Sequence, residues 1–97
     1  IIFITSTAAN NFFSGGANYS GVKMAESILS KYLRDELHTK NIKVTEISPG
    51  TVNSRENTDK NALLPEDIAN SISWLLSMPD YVNINLIDIS HINNLSR

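Results

Sequence analysis

Tyr19 and Lys23 stand four positions apart in NYSGVKMAES, at the start of a segment whose apolar residues have helical spacing. Residues i and i+4 of a helix share one face, with β-carbons about 5 to 6 Å apart. An ammonium beside a phenol stabilises the phenolate, which suits the phenol to proton transfer. The pair is therefore a candidate for general acid–base chemistry. Since such pairs also arise by chance, an interfacial tyrosine beside a solvated lysine is the alternative interpretation.

Two other polar segments could join this pair in one site. Ser6 ends an apolar run thirteen residues before Tyr19, and SPGTVNS, at 48–54, ends a second run. Ligands of open α/β sheets bind beyond the carboxyl ends of the parallel strands. A hydroxyl, a phenol–ammonium pair and a rigid Pro49-Gly50 turn would then meet in one crevice, as in a ligand site.

The strands that would position these residues are short. The β-branched run from Ile1 to Thr5 predicts a buried strand, which normally has neighbours on both sides. The segment from Ile42 to Ser48 predicts a second strand, and the alternation in YVNINLIDI, at 81–89, predicts a third. The remaining segments at 8–16, 51–61 and 90–97 are predicted loops and a polar tail.

Two helices are predicted between the strands. The first runs from about Ala17 to His38, and its apolar stripe consists of Val22, Ala25, Ile28, Leu29, Tyr32, Leu33 and Leu37. The second begins at Pro65 and is stopped by Pro79, with an inner face formed by Ile68, Ile72, Leu75 and Leu76. Alternation of strands and helices predicts an α/β fold, a Rossmann-like doubly wound parallel sheet with right-handed crossovers.

Composition excludes several classes of function. The chain has 97 residues, 41% hydrophobic and 19% charged, with a net charge of -2, as in an ordinary globular domain without a nucleic-acid surface. It has no cysteine, which excludes disulfides and thiolate metal sites and suits a reducing compartment, so a cytoplasmic location is expected. Apolar runs of four or five residues predict no membrane span. Because His38 and His91 stand alone, no metal site is expected.

Together these segments resemble the latter half of the single domain of the short-chain dehydrogenases/reductases. IIFITSTAA is similar to the strand that ends in the active-site serine, YSGVK matches the Tyr-x-x-x-Lys motif, and ISPGTVNS resembles the Pro-Gly loop over the nicotinamide. The stretch from LLPEDIANSI to NLIDI resembles, less specifically, the branch that acts on 3-hydroxy acids and small alcohols, usually with NADP. Three motifs in one short chain are more specific than any one of them.

The resemblance implies an enzyme that interconverts a secondary alcohol and a ketone by hydride transfer to or from NADP or NAD. Tyr19 would be the general acid or base, Lys23 would assist it and bind the nicotinamide ribose, and Ser6 would hold the substrate oxygen. Further cofactor contacts would come from Pro49, Gly50 and Val52 at the nicotinamide and from Ser54 near the phosphates. In this family the outer side of the Tyr-Lys helix forms a dimer interface, so a homo-oligomer is expected.

The sequence also departs from the family pattern. The commonest motif has Ala and Ser where this chain has Gly21 and Val22, so the start of the helix is expected to be more mobile. The family's Gly-rich phosphate loop belongs before Ile1, and no G-x-x-x-G-x-G occurs in the chain. We therefore interpret residues 1–97 as the C-terminal portion of one Rossmann-type domain, which would be inactive alone. The alternative is a truncated, non-catalytic scaffold or interaction module.

The loop between Ser6 and Tyr19 contains two neighbouring aromatic residues, Phe12 and Phe13. They could line the substrate pocket, or they could cover the core beneath the loop. The sequence does not separate these two interpretations.

Overall fold

The computed structural model describes residues 1–56 and 58–95. Its strands and long helices alternate as predicted: β1 (Ile2–Ile4), α1 (Ala17–Leu37), β2 (Thr45–Pro49), α2 (Pro65–Leu76) and β3 (Leu86–Ile89). One-turn 3₁₀ helices follow β1 at Thr7–Ala9 and α1 at His38–Lys40. The predicted tail and the predicted loop 51–61 each include residues outside the described ranges.

The strands form one parallel sheet in the order β1-β2-β3. Phe3 is paired with Glu46, and Ile47 is paired with both Ile4 and Ile87. Because side chains alternate along a strand, Phe3 and Glu46 face one side of the sheet while Ile4, Ile47 and Ile87 face the other. Every residue of the central strand β2 is buried. Within the described residues β1 pairs only with β2, so its other edge is open.

The third strand begins at Leu86, five residues later than predicted. The side chain of Asn83 takes the place of a strand backbone: its Oδ1 accepts from the Val44 N–H at 2.9 Å and its Nδ2 donates to the Val44 C=O at 3.0 Å. The backbone pairing starts only after this contact, with the Glu46 N–H donating to the Asn85 C=O at 3.0 Å. An amide side chain can satisfy both the N–H and the C=O of a residue such as Val44, so no backbone pairing is needed there. This is why β3 is shorter than the sequence pattern predicts.

The two helices lie on opposite faces of the sheet. α1 covers the face that carries Thr5 and Glu46, since the Ser27 hydroxyl donates to Glu46 at 3.0 Å. α2 lies over the other face, where it forms a groove with Ile87 and Ile89 of β3. The doubly wound arrangement is therefore confirmed. The chain moves from β1 to β2 and from β2 to β3 in the same direction across the sheet. Two right-handed crossovers would therefore place both helices on the same face. The prediction of right-handed crossovers throughout is thus wrong for one of the two.

The face of α1 that meets the sheet is polar. Ser27 and Ser30 are its buried residues, whereas Val22, Ile28 and Tyr32 of the predicted apolar stripe are 57%, 48% and 64% exposed. The apolar stripe therefore points away from the sheet, which is not where an amphipathic helix of an isolated domain normally puts it. The physical reason lies in the sheet, whose α1 face presents the polar side chains of Thr5 and Glu46 to the helix.

α2 begins as predicted, with Pro65 in the first turn and the Asp67 carboxylate accepting from the Leu64 N–H at 2.8 Å. Leu75 is buried against the rest of the chain, but Leu76 is 74% exposed. The prediction that Leu76 belongs to the inner face is therefore wrong. Neighbouring helix positions are separated by about 100°, so Leu75 and Leu76 cannot both face a narrow contact.

Candidate active site

A cleft of about 700 Å³ lies at the carboxyl ends of β1 and β2. Six of the seven predicted site residues line it: Ser6, Tyr19, Lys23, Pro49, Gly50 and Val52. Ser54, the seventh, lines a neighbouring cleft of about 670 Å³. The two clefts share Thr51 and Val52 in their linings, so they adjoin. Three loops thus bring a hydroxyl, a phenol, an ammonium and a Pro-Gly turn to one edge of the sheet.

Ser6 is held by the transition from strand to 3₁₀ helix. Its backbone is extended, and the preceding Thr5 still pairs with β2 through a 2.8 Å bond from its N–H to the Ile47 C=O. The Ser6 Oγ accepts from the Ala8 N–H at 3.1 Å and so caps the 3₁₀ helix. A serine hydroxyl has one hydrogen to donate and two lone pairs. With one lone pair occupied by Ala8, the hydrogen remains able to donate to an oxygen in the cleft.

Tyr19 and Lys23 share one face of the first turns of α1. The Lys23 Nζ lies 5.8 Å from the centroid of the Tyr19 ring, within cation–π range, and the ring is 51% exposed to the cleft and solvent. The same Nζ lies 3.2 Å from the Glu26 Oε2 and 3.4 Å from the Ile4 C=O. The ammonium is therefore held between the helix, the tyrosine ring and the end of β1.

Glu26 was not identified from the sequence as part of this site. It forms a partly exposed ion pair with Lys23, and such pairs contribute little to stability, about 0 to 1 kcal/mol. The signal was present in the sequence, because positions three apart on a helix are neighbours. Thr51 and Asn11 also line the cleft, and neither is among the site residues that the sequence predicts.

The Pro49-Gly50 turn leaves the sheet close to the chain that follows β3. The Gly50 N–H donates to the Ile89 C=O at 2.8 Å, and a β-carbon on Gly50 would lie 3.1 Å from the Ser90 Cβ. That separation is tighter than ordinary carbon–carbon contact, at about 3.5 to 4.0 Å. Glycine therefore permits the close approach that fixes this turn at the mouth of the cleft.

Val52 is held by an isolated parallel bridge to Leu63. The Leu63 N–H donates to the Thr51 C=O at 2.9 Å, and the Asn53 N–H donates to the Leu63 C=O at 2.8 Å. In a parallel pairing of this kind, the N–H and C=O of the central residue point to the opposite side. The backbone groups of Val52 are thus directed away from Leu63, on a residue that lines the cleft.

Both phenylalanines of the loop line the cleft. Phe12 is 97% exposed, so it covers no core. Phe13 is half-exposed and packs beside Gly16, where a β-carbon would overlap its ring. The cleft thus has an aromatic wall on the side of the Ser6 loop.

No group of three or more His, Cys, Asp or Glu residues in the described part of the chain could hold a metal ion. No helix in residues 1–56 and 58–95 has the length and apolar character needed to cross a membrane. His91 uses its Nδ1 to accept from the Asn93 N–H at 3.0 Å.

Known proteins resemble the chain in sequence and in fold. Serine 3-dehydrogenase of Rhizobium radiobacter is 33% identical over 108 residues, which cover 96% of this chain and 43% of that protein. NADP-dependent 3-hydroxy acid dehydrogenase YdfG of Escherichia coli (strain K12) is 33% identical over 105 residues, covering 92% and 42%. The closed form of a serine dehydrogenase complexed with NADP+ superposes with a TM-score of 0.88 at 30% identity, covering 99% and 45%.

The chain spans less than half the length of each of these relatives. The family model described as short chain dehydrogenase matches residues 1–64, which carry the serine, the Tyr-Lys pair and the Pro-Gly turn. By this match, the chain belongs to the short-chain dehydrogenase family.

Proposed function

We propose that the protein containing this chain is an NAD(P)-dependent oxidoreductase that interconverts a secondary alcohol and a ketone. The observation that carries the proposal is the meeting of Ser6, Tyr19 and Lys23 with the Pro49-Gly50 turn in one cleft. Family membership supports an oxidoreductase, and two of the relatives are named for NADP or were solved with it. Separate loops that deliver complementary chemical groups to one cavity favour a reaction site over packing.

Ser6, Tyr19 and Lys23 have different roles in the proposed proton transfer. Ser6 donates its free hydroxyl hydrogen to the substrate oxygen, where negative charge develops. Tyr19 gives its phenolic proton to that oxygen in reduction and takes it back in oxidation. Lys23, whose ammonium lies 5.8 Å from the ring centroid, stabilises the phenolate left behind. The ring is open to the cleft, so a substrate oxygen can reach it.

The residues on the other side of the cleft fit a nicotinamide nucleotide. When bound, the nicotinamide supplies or accepts the hydride. The Pro49-Gly50 turn offers a close backbone approach, and the outward-directed backbone of Val52 offers the donor and acceptor that a carboxamide needs. Ser54 lies in the adjoining cleft, on the side where we expect the phosphates. The adjoining pair of clefts suits an elongated ligand.

We further propose that these residues are the C-terminal portion of one Rossmann-type domain in a longer polypeptide. The open edge of β1 supports this, since an exposed edge of apolar residues is a site of aggregation unless another strand covers it.

The outward apolar face of α1, formed by Val22, Ile28, Leu29 and Tyr32, supports a homo-oligomer. Residual monomer at micromolar concentration in sedimentation analysis would count against the oligomer.

The experiment that tests the function is nicotinamide nucleotide binding and turnover by the complete natural polypeptide. We expect binding of NADPH or NADH by fluorescence titration, and oxidation of the bound nucleotide when ketones are supplied. Ser6→Ala should retain nucleotide binding while its turnover falls about 10²- to 10³-fold, the loss typical of one donor to a developing oxyanion. A polypeptide that binds neither nucleotide would instead favour the non-catalytic scaffold.

A further inference from the structure

Glu46 places a carboxylate in the interior between β2 and α1. The residue is 3% exposed, and among the described residues it is the one charged member of the buried polar set. Within residues 1–56 and 58–95, no ammonium, guanidinium or imidazole group forms an ion pair with the Glu46 carboxylate. Burying a carboxylate is costly unless hydrogen bonds satisfy it, so its partners explain its presence.

Two hydroxyl groups satisfy this carboxylate, one from each neighbouring element. The Thr5 Oγ1 donates to the Glu46 Oε1 at 2.8 Å, and the Ser27 Oγ donates to the Glu46 Oε2 at 3.0 Å. Thr5 and Ser27 are themselves 3% and 6% exposed. One side chain of β2 thus joins the end of β1 to the middle of α1 through bonds shielded from water.

Both partners are adjacent to proposed catalytic residues. Thr5 immediately precedes Ser6, whose hydroxyl faces the cleft. Ser27 follows Lys23 by four residues, and Lys23 follows Tyr19 by four, so the three lie in one row along α1. The bridge through Glu46 therefore connects the strand that carries the serine to the helix row that carries the acid and its ammonium.

From this geometry we propose that Glu46 is a positioning residue that sets the separation between Ser6 and the Tyr19–Lys23 pair. The proposal rests on the function proposed above and adds a residue outside the cleft. An apolar side chain of similar volume would fill this position, but it would leave the buried Thr5 and Ser27 hydroxyls without the acceptor that both use. What the carboxylate supplies is a fixed register between the strand that leads to Ser6 and the helix that carries Tyr19 and Lys23.

The test compares two substitutions of Glu46 in the complete natural polypeptide. Glu46→Leu removes both acceptors, whereas Glu46→Gln keeps the shape: its oxygen accepts from Ser27, and its amide donates to Thr5, whose hydroxyl turns to the Ile47 C=O, 3.4 Å away. For Glu46→Leu we expect kcat to fall about 10- to 100-fold, because a misplacement of about 1 Å can cost that much. Nucleotide affinity should stay within about threefold and the urea midpoint should fall, because two buried hydroxyls lose their acceptor, while Glu46→Gln should recover most of kcat and of the midpoint.

Ser30→Ala is the matched control. Ser30 is a fully buried serine of the same helix, but its hydroxyl donates to the Ser27 C=O at 2.7 Å and not to Glu46. We expect its kcat to stay within about threefold of the parent's, since local helix bonds do not set the distance to β1. If Glu46→Leu does not fold, Ser27→Ala and Thr5→Val, each of which removes one donor, should each lower kcat.

Amide hydrogen exchange gives a readout that does not depend on turnover. Glu46→Leu should speed exchange at the end of β1 and around Ser27, and Glu46→Gln should not. The proposal would be overturned if Glu46→Leu had the same kcat and the same exchange rates as the parent. It would also be overturned if exchange became faster while kcat stayed unchanged, because Glu46 would then have a structural role only. If the parent turns over no substrate, the proposed function fails, and unchanged exchange in Glu46→Leu would still overturn the bridge.

Discussion

Replacement of Gly21 by alanine should stabilise the protein. Gly21 lies in α1 between Tyr19 and Lys23, it is exposed, and a β-carbon there would meet no atom within 4 Å. Glycine in a helix interior is about 0.8 to 1.0 kcal/mol less favourable than alanine. Because nothing opposes the added methyl group, we expect most of this difference to appear in the free energy of unfolding, a change of about four- to fivefold in the folding equilibrium.

The assay is urea unfolding followed by circular dichroism, combined with amide exchange over residues 18–24. We expect a higher urea midpoint for Gly21→Ala and slower exchange in the first turns of α1, since the unfolded chain has less freedom to lose. Gly21 does not line the cleft, so kcat should stay within about twofold of the parent's. An unchanged kcat would show that stabilising the first turns of α1 leaves the Tyr19–Lys23 pair in place.

Gly15→Ala is the matched control, because a β-carbon there also meets no atom within 4 Å. Gly15 differs in its backbone, whose φ of 77° lies in the left-handed region. Alanine in that region costs about 1 to 2 kcal/mol, so this variant should be destabilised while Gly21→Ala is stabilised. Equal shifts of the same sign in the two variants would refute the reasoning.

Three further outcomes are expected. Phe12→Ser should change the free energy of unfolding by less than about 0.5 kcal/mol, because the ring is 97% exposed, yet raise KM for ketones with apolar substituents; an unchanged KM across such a series would remove Phe12 from the substrate wall. Ile47→Ala should cost about 2 to 5 kcal/mol in urea unfolding, since its side chain is fully buried in the central strand, and a loss below 1 kcal/mol would contradict that packing. Asn83→Ala should cost about 1 to 3 kcal/mol by leaving the Val44 N–H and C=O without partners, and faster amide exchange at Val44 is the check.

Much of the cleft could be predicted from the sequence, because its residues sit at the ends of strongly patterned elements. The Tyr-Lys pair follows from helix periodicity, and the Ser6 and Pro49-Gly50 segments follow apolar strands whose carboxyl ends share one sheet edge. Fold class needed only the alternation of elements. The roles of these residues in catalysis stay predictions.

Other features depended on tertiary register that periodicity does not carry. The apolar stripe of α1 shows that one face is apolar, but not that Ser27 would face the sheet instead. From the sequence alone, Glu46 looks like any polar residue of a strand. Only the folded structure shows that Thr5 and Ser27 donate to its carboxylate. The late start of β3 depends on the Asn83 side chain replacing a backbone pair, which no strand pattern encodes.

Turnover by Tyr19→Phe in the complete natural polypeptide tests the central claim most directly. The substitution removes the phenolic oxygen and leaves the ring beside Lys23. Loss of a general acid costs about 10²- to 10⁴-fold, so we expect kcat to fall by that factor while nucleotide affinity stays within about threefold. Turnover equal to the parent's at saturating ketone would contradict the assignment of Tyr19 as the proton donor.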